Sequence, residues 1–226
     1  MVIAIDGPAG SGKSTVAKLV AERLCYLYVD TGAMYRALTW KALKEKVDLE
    51  DEDALTSLSR QTEIALKEER GELKVFVDGE EVTEAIRKES VTENSFYLAR
   101  VPSVRAEMVK QQRKMARENS LVMEGRDIGT VVFPKAELKV YLDASLKERT
   151  RRRFLELKEK GINTDLETIK KQLQARDKKD KGRKVAPLKI ARDAFVIDST
   201  RMKIEEEVDL ILRKWRENYG TTKSSA

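Results

Sequence analysis

The sequence predicts an α/β protein built on a five-stranded parallel sheet with helices on both faces. Three observations carry that expectation. Five short apolar runs alternate with longer amphipathic segments, the rhythm of repeated strand–helix–strand units. The first run leads into "GPAGSGKST", residues 7–15, which opens a helical pattern. Residues 62–83 break the rhythm with turn signals at Arg70-Gly71 and Asp78-Gly79, the mark of a small antiparallel insert.

The elements follow in order. "VIAID" (2–6) is a β-branched run suited to a buried parallel strand. A helix follows at about 13–24, then a second strand, "YLYVD" (26–30). "TGAMYRALTWKALKEK" (31–46) reads as a turn and then a helix opened by Thr31 or Gly32. "DLEDEDALTSLSRQ" reads as a short helix with acids at its positive end. The meander at 62–83 comes next, then helical patterns at about 84–98 and 102–117, separated near Pro102. "SLVMEG" (120–125), "LKVYLDA" (138–144) and "AFVIDST" (194–200) are the remaining strands. Charged helices at 145–160 and 165–180, parted by Gly161, lie between the last two strands, and an amphipathic helix at 203–218 closes the fold. Residues 220–226, "GTTKSSA" at the chain end included, read as a disordered tail. Ligands of such sheets sit at the carboxyl ends of strands, so the loops after residues 6, 30, 125, 143 and 198 are the ones that matter.

Composition bounds the function. At 226 residues the chain fits one α/β domain with an insert. Charged residues make up 37%, against about 25% in an average domain; long solvated helices or a heat-adapted surface of ion pairs both account for that. The net charge of +6 fits a nucleic-acid partner or arginines gathered for phosphate. A single cysteine, Cys25, excludes an internal disulfide, points to a reducing compartment, and reads as core where helix gives way to strand. The absence of histidine excludes a histidine base or a histidine-bound metal. The start has no basic leader and no apolar run approaches the length of a membrane span, so the expectation is a cytoplasmic protein without a membrane partner.

Gly7, Pro8, Ala9, Gly10, Ser11, Gly12, Lys13, Ser14 and Thr15 carry the full G-x-x-x-x-G-K-[ST] pattern. Its glycines let backbone N–H groups face an anion at a helix N-terminus, its lysine reaches the β- and γ-phosphates, and the Ser14 hydroxyl ligates Mg²⁺. A nucleoside triphosphate is therefore expected. Three further clusters lie near strand ends. "DTGAMYR" brings Asp30, Thr31, Tyr35 and Arg36. "EGRDIGTVVFP" places Arg126 and Asp127 between two glycines, the first suited to grip a phosphate and the second to accept from an exocyclic amino group. "ARDKKDKGRKVAPL" puts Arg176 and Asp180 on one helical face, with Arg183 after Gly182. Arg149, Arg152 and Arg153 share another face, as a lid over the triphosphate or as a nucleic-acid stripe.

On "IDGPAGSGKST", "DTGAMYR", "EGRDIGTVVFP", "YLDAS", "RDKKDKGRKVAPL" and "VIDST", the chain resembles bacterial cytidylate kinases over nearly its whole length. The resemblance implies a P-loop kinase fold in a single domain, with a monophosphate-binding insert at about 60–95 and a lid at 149–163. It implies ATP, with Mg²⁺, as donor to CMP or dCMP; a monomer is the expectation for the chain. By motif, Arg36, Arg126 and Arg183 hold the acceptor phosphate, Arg176 and Asp180 the sugar hydroxyls, and Arg105 and Asp127 the cytosine edge, while Arg149, Arg152 and Arg153 form the lid. One position departs: where the family commonly has a base-contacting serine, nine residues before Arg105, this chain has Phe96 beside Ser95. Either Ser95 serves or that contact is missing. A UMP or other small-molecule kinase, and a nucleic-acid-binding nucleotide switch, are the alternatives.

Overall fold

The computed structural model describes residues 1–69, 72–159 and 161–219, so the Arg70-Gly71 turn and the expected tail at 220–226 lie outside the described residues. β1 (Val2–Asp6) is buried at every position, its four apolar residues and the closing Asp6 alike, and feeds the glycine loop into α1 (Lys13–Leu24). The chain continues through β2 (Leu27–Asp30), α2 (Thr31–Lys44), α3 (Glu52–Gln61), β3 (Ile64–Glu69), β4 (Glu72–Val77) and β5 (Glu80–Glu81). A 3-10 turn at Ala85–Arg87 precedes α4 (Glu89–Arg100) and α5 (Pro102–Glu118). β6 (Leu121–Gly125), a π-helical turn at Ile128–Val132, β7 (Leu138–Asp143), α6 (Leu146–Glu159), α7 (Leu166–Gly182), β8 (Phe195–Asp198) and α8 (Ile204–Tyr219) complete it. The main sheet runs β2-β6-β1-β7-β8 and the small one β3-β4-β5, so the expected fold class is the one found. β7 pairs in parallel with β1, Ile5 opposite Val140, and with β8, Leu142 opposite Ile197.

Three local expectations are corrected, and one element was not expected at all. α2 has no turn before it: it starts at Thr31, and its cap is Asp30, whose Oδ1 accepts the Ala33 N–H at 2.9 Å. Cys25 is exposed rather than core. It ends α1 in the left-handed conformation, φ 54°, and its N–H reaches back to the Ala21 and Glu22 carbonyls, a helix stop that turns the side chain away from the buried face. The helical pattern at 84–98 divides, with Lys88 extended between the 3-10 turn and α4. The π-helical turn after Arg126-Asp127 had no counterpart in the sequence reading.

Two compact units divide the chain: residues 1–26 with those from Val122 onward, and Leu27–Leu121. In the first, β1, β7, α1 and α8 bury Ile3, Ile5, Val140, Leu142, Val16, Val20, Val208 and Ile211. There α6 and α7 share a smaller cluster of Ala9, Ile169 and Leu173, against which Leu146, Phe154 and Leu157 pack. In the second, Asp78 and Gly79 both take positive φ, 50° and 85°, the turn that the Asp-Gly pair predicts between β4 and β5. Asp78 does more than turn the chain: Oδ1 accepts the Glu63 N–H at 2.9 Å and Oδ2 lies 2.7 Å from Lys41 Nζ. Among the described residues no helix is long and apolar enough to cross a membrane.

Candidate active site

The first unit holds the glycine loop. A Cβ on Gly7 would stand 2.1 Å from the Leu142 carbonyl oxygen, a backbone atom that cannot yield, so only glycine lets the end of β1 pass β7. Gly10 and Gly12 take left-handed φ, 76° and 93°, giving the curl an anion cradle needs. Lys13 is buried, and its ammonium donates to the Pro8 carbonyl at 2.7 Å and lies 3.4 Å from Ser11 Oγ. Burial, then the Arg126 and Arg176 cations, push its pKa down to about 7 against the pull of Glu124 and Asp6. An arriving polyanion reverses that balance. Ser14 is exposed in the first turn of α1. No group of three or more acids or thiols able to hold a metal occurs among the described residues. A divalent ion therefore fits here only if nucleotide phosphates supply most of its oxygens, with the Ser14 hydroxyl beside them.

The end of β6 carries the second set. Arg126 Nε donates to Asp180 Oδ2 at 2.7 Å and Nη1 to the Gly125 carbonyl at 3.2 Å. Arg183 Nη2 lies 3.6 Å from Asp180 Oδ1, so one carboxylate serves two guanidinium groups. Burial alone would raise the Asp180 pKa; the Arg126 charge and hydrogen bond, then Arg183 and Arg176, outweigh it and hold the carboxyl below its usual range. Burial would likewise lower Arg126, but Asp180, Glu124 and Asp6 keep it raised. Arg176 is exposed one helical turn before Asp180. Asp127 is buried and leads into the π-helical turn. Asp6 accepts the Ile128 and Gly129 N–H groups, both at 2.8 Å, and burial lifts its pKa to about 6, those hydrogen bonds opposing and the Asp127 charge adding.

The arginines of α6 divide in the structure. Arg149 is buried: Nη1 donates to the Ala9 carbonyl at 3.0 Å and lies 2.8 Å from Asp177 Oδ2, and Nε donates to the Ala144 carbonyl. Arg152 donates to the Ser11 and Ser199 carbonyls at 3.2 and 2.7 Å and to Glu148. Arg153 instead pairs with Glu156 of its own helix at 2.7 Å, both side chains half-buried. Two of the three expected lid arginines thus already grip the loop, and the third does not. Glu207, buried in the first turn of α8, lies 3.8 Å from Arg152, and burial lifts its pKa to about 7 against that cation.

The second unit holds Thr31, Tyr35, Arg36 and Arg105. Asp30, besides capping α2, accepts from Arg36 Nη2 at 3.0 Å. Arg105 is buried, its guanidinium 5.6 Å from the Tyr35 ring centroid and its Nη1 donating to the Ala99 carbonyl at 3.3 Å. Ser95 Oγ donates to the Thr92 carbonyl of its own helix at 2.8 Å, and the Phe96 ring meets Tyr97 edge-on.

The sequence reading passed over Asp6, Asp177 and Glu207. Asp6 had a signal, an acid closing an otherwise apolar strand directly before the glycine loop. Asp177 and Glu207 lie in charge-rich helices where nothing sets them apart.

Comparison with known proteins gives a consistent result. The family model described as cytidylate kinase matches residues 3–217. A cytidylate kinase of Geobacillus sp. (strain WCH70) is 56% identical over 219 residues, covering 96% of this chain and 97% of its own. One from Bacillus subtilis (strain 168) is 50% identical over 210 residues, covering 93% and 94%. Among solved structures, an uncharacterized protein from Eubacterium ventriosum ATCC 27560 superposes with a TM-score of 0.50 at 14% identity, over 95% of this chain and 97% of that one, a likeness of fold alone.

Proposed function

Because the chain belongs to the cytidylate kinase family, we propose that it transfers the γ-phosphoryl group of ATP to CMP and dCMP, giving CDP or dCDP and ADP. The observation that carries the reading is the pair of distinct cationic centres in the first unit: Lys13 within the glycine loop, and Arg126 with Arg183 on the Asp180 carboxylate. A kinase with two phosphorylated substrates needs one such centre for each.

The acceptor oxygen is already anionic, so the reaction asks for no general base, in keeping with a chain without histidine. Its barrier is the approach of two anions, and catalysis lies in neutralising and aligning them. Gly7 to Thr15 take the donor phosphates, with Lys13 at the β- and γ-groups. Mg²⁺, when bound at Ser14, supplies Lewis-acid neutralisation of phosphate charge. Arg126 and Arg183, and Arg36 of the second unit, take the acceptor phosphate, fork against oxygens. Arg176 and Asp180 take the sugar hydroxyls, and Thr31 and Tyr35 border the acceptor. Arg105 and Asp127 read the base: cytosine presents an amino donor to a carboxylate where uracil presents an oxygen. Arg149, Arg152 and Arg153 neutralise charge on the transferring group. Closure of lid and insert over the substrates excludes water, since ATP hydrolysis is the competing reaction. The same reading takes the protein as a cytoplasmic monomer without nucleic-acid or membrane partners. The comparisons do not favour the UMP or nucleic-acid alternatives.

A panel of CMP, dCMP, UMP, AMP and GMP with ATP and Mg²⁺, followed by ADP release, tests the proposal. CMP and dCMP are expected to turn over fastest, and Lys13→Ala to lower kcat by roughly a thousandfold or more with the fold retained. Turnover of UMP alone would overturn the acceptor assignment; near-normal activity of the lysine variant would overturn the loop assignment.

A further inference from the structure

Asp6 ends β1 one residue before the glycine loop, yet both its carboxylate oxygens serve a segment more than a hundred residues away. Oδ1 accepts the Ile128 N–H and Oδ2 the Gly129 N–H, each at 2.8 Å. These amides open the π-helical turn that follows Arg126-Asp127. The side chain is buried, where a carboxylate persists only if its oxygens find donors. A Cβ on Gly129 would meet the Lys139 stem at 3.2 Å and Asp6 Oδ2 at 3.4 Å, so the turn runs close against both side chains. The charged and titratable groups facing Asp6 are Lys13 from α1, Arg126 and Asp127 after β6, and Lys139 and Tyr141 of β7.

We infer that Asp6 is a positioning residue for base recognition: by holding the Ile128 and Gly129 amides it fixes the peptide that aims Asp127, and through it the discrimination of cytosine from uracil. This rests on the reading of Asp127 as the base-contacting carboxylate. Asparagine cannot substitute, because its amide offers one acceptor and turns an N–H₂ donor against a backbone N–H. A displacement of the turn by about 1 Å is enough to cost up to roughly a hundredfold in rate.

The test compares kcat/KM for CMP and UMP, and KM for ATP, in the full chain, Asp6→Asn and Asp127→Asn, with folding checked by circular dichroism. Asp6→Asn is expected to raise KM for CMP and to lower the CMP/UMP ratio by roughly tenfold, leaving KM for ATP within about twofold. If Asp127→Asn changes the ratio and Asp6→Asn does not, the inference is wrong and the reading of Asp127 stands. If neither changes it, the reading of Asp127 itself fails. A defect confined to KM for ATP assigns Asp6 to the loop and overturns the inference. Should Asp6→Asn not fold, the wild-type chain carries the test. Its CMP/UMP ratio, in which the phosphate titration common to both acceptors cancels, falls as pH drops through the range where the Ile128 and Gly129 amide shifts report Asp6 protonation; a ratio flat across that range overturns the inference.

Discussion

Lys13 carries an electrostatic conflict that the free protein leaves unresolved. Buried beside Arg126 and Arg176, its ammonium is disfavoured, and its pKa is pushed down to about 7 from an ordinary lysine value of 10.5. At pH 8 the free protein therefore holds much of Lys13 neutral, and a bound triphosphate restores the charge, so ATP binding takes up a proton from solution. Titration calorimetry at pH 8 in two buffers of different ionisation enthalpy measures this directly: the observed heats are expected to differ, and equal heats would show that Lys13 is already charged. That Lys13 meets phosphate was legible in its motif. That it waits half-neutral was not, because its two cationic neighbours come from β6's end and from α7, more than a hundred positions along the chain. The same limit applies to Arg149 and Arg153, four residues apart on one helical face, yet one is buried against Ala9 and Asp177 and the other only half-buried beside Glu156.

Among the elements, the hairpin at Asp78-Gly79 and the α6–α7 pair separate local from tertiary causes. Gly79 has φ 85° and nothing within 4 Å of where a Cβ would stand, so Gly79→Ala tests backbone strain alone. It is expected to lower stability by about 1–2 kcal/mol in denaturant titration while kcat stays unchanged. Arg149→Met is expected to act on both stability and site. It strands the half-buried Asp177 and frees the Ala9 carbonyl, at a cost of about 2–4 kcal/mol, and KM for ATP rises with it. A thermal midpoint unmoved by this change would show that α6 and α7 hold the loop by their apolar cluster alone. The Asp-Gly turn, the strands and most helix starts were legible because their signals sit within a few residues of the structure they cause. The π-helical turn was not: the carboxylate that satisfies its first amides belongs to another strand. The cap of α2, expected at Thr31 or Gly32, lies at Asp30 because all three are capping types, and only the Ala33 contact distinguishes them.

Across the whole molecule, the buried acids give stability a distinctive pH dependence. Asp6 and Glu207 bind protons more tightly when folded, near pH 6 and 7, than their ordinary values of 3.8 and 4.5, so between about 4 and 7 stability falls as pH rises. Glu148 and Asp180 act oppositely: held below the usual range by their arginines, they contribute stability above it that is lost in acid. Lys13, lowered, adds a gain above pH 7. Glu207→Gln is accordingly expected to raise the thermal midpoint at pH 8 and leave it unchanged at pH 4, where the carboxyl is protonated folded and unfolded alike; an equal shift at both would mean that packing, not charge, sets its effect. The sequence by itself determined the order of strands and helices, the glycine loop, the arginine and acid types at strand ends, and the family, since each depends on neighbours in the chain or on motifs read whole. Only the tertiary structure decided which acids share which arginines, which two of the lid arginines reach the loop, and which carboxylate supports the turn after Asp127. Those outcomes depend on burial and on distances of a few ångströms between groups far apart in sequence, where spacing along the chain carries no information.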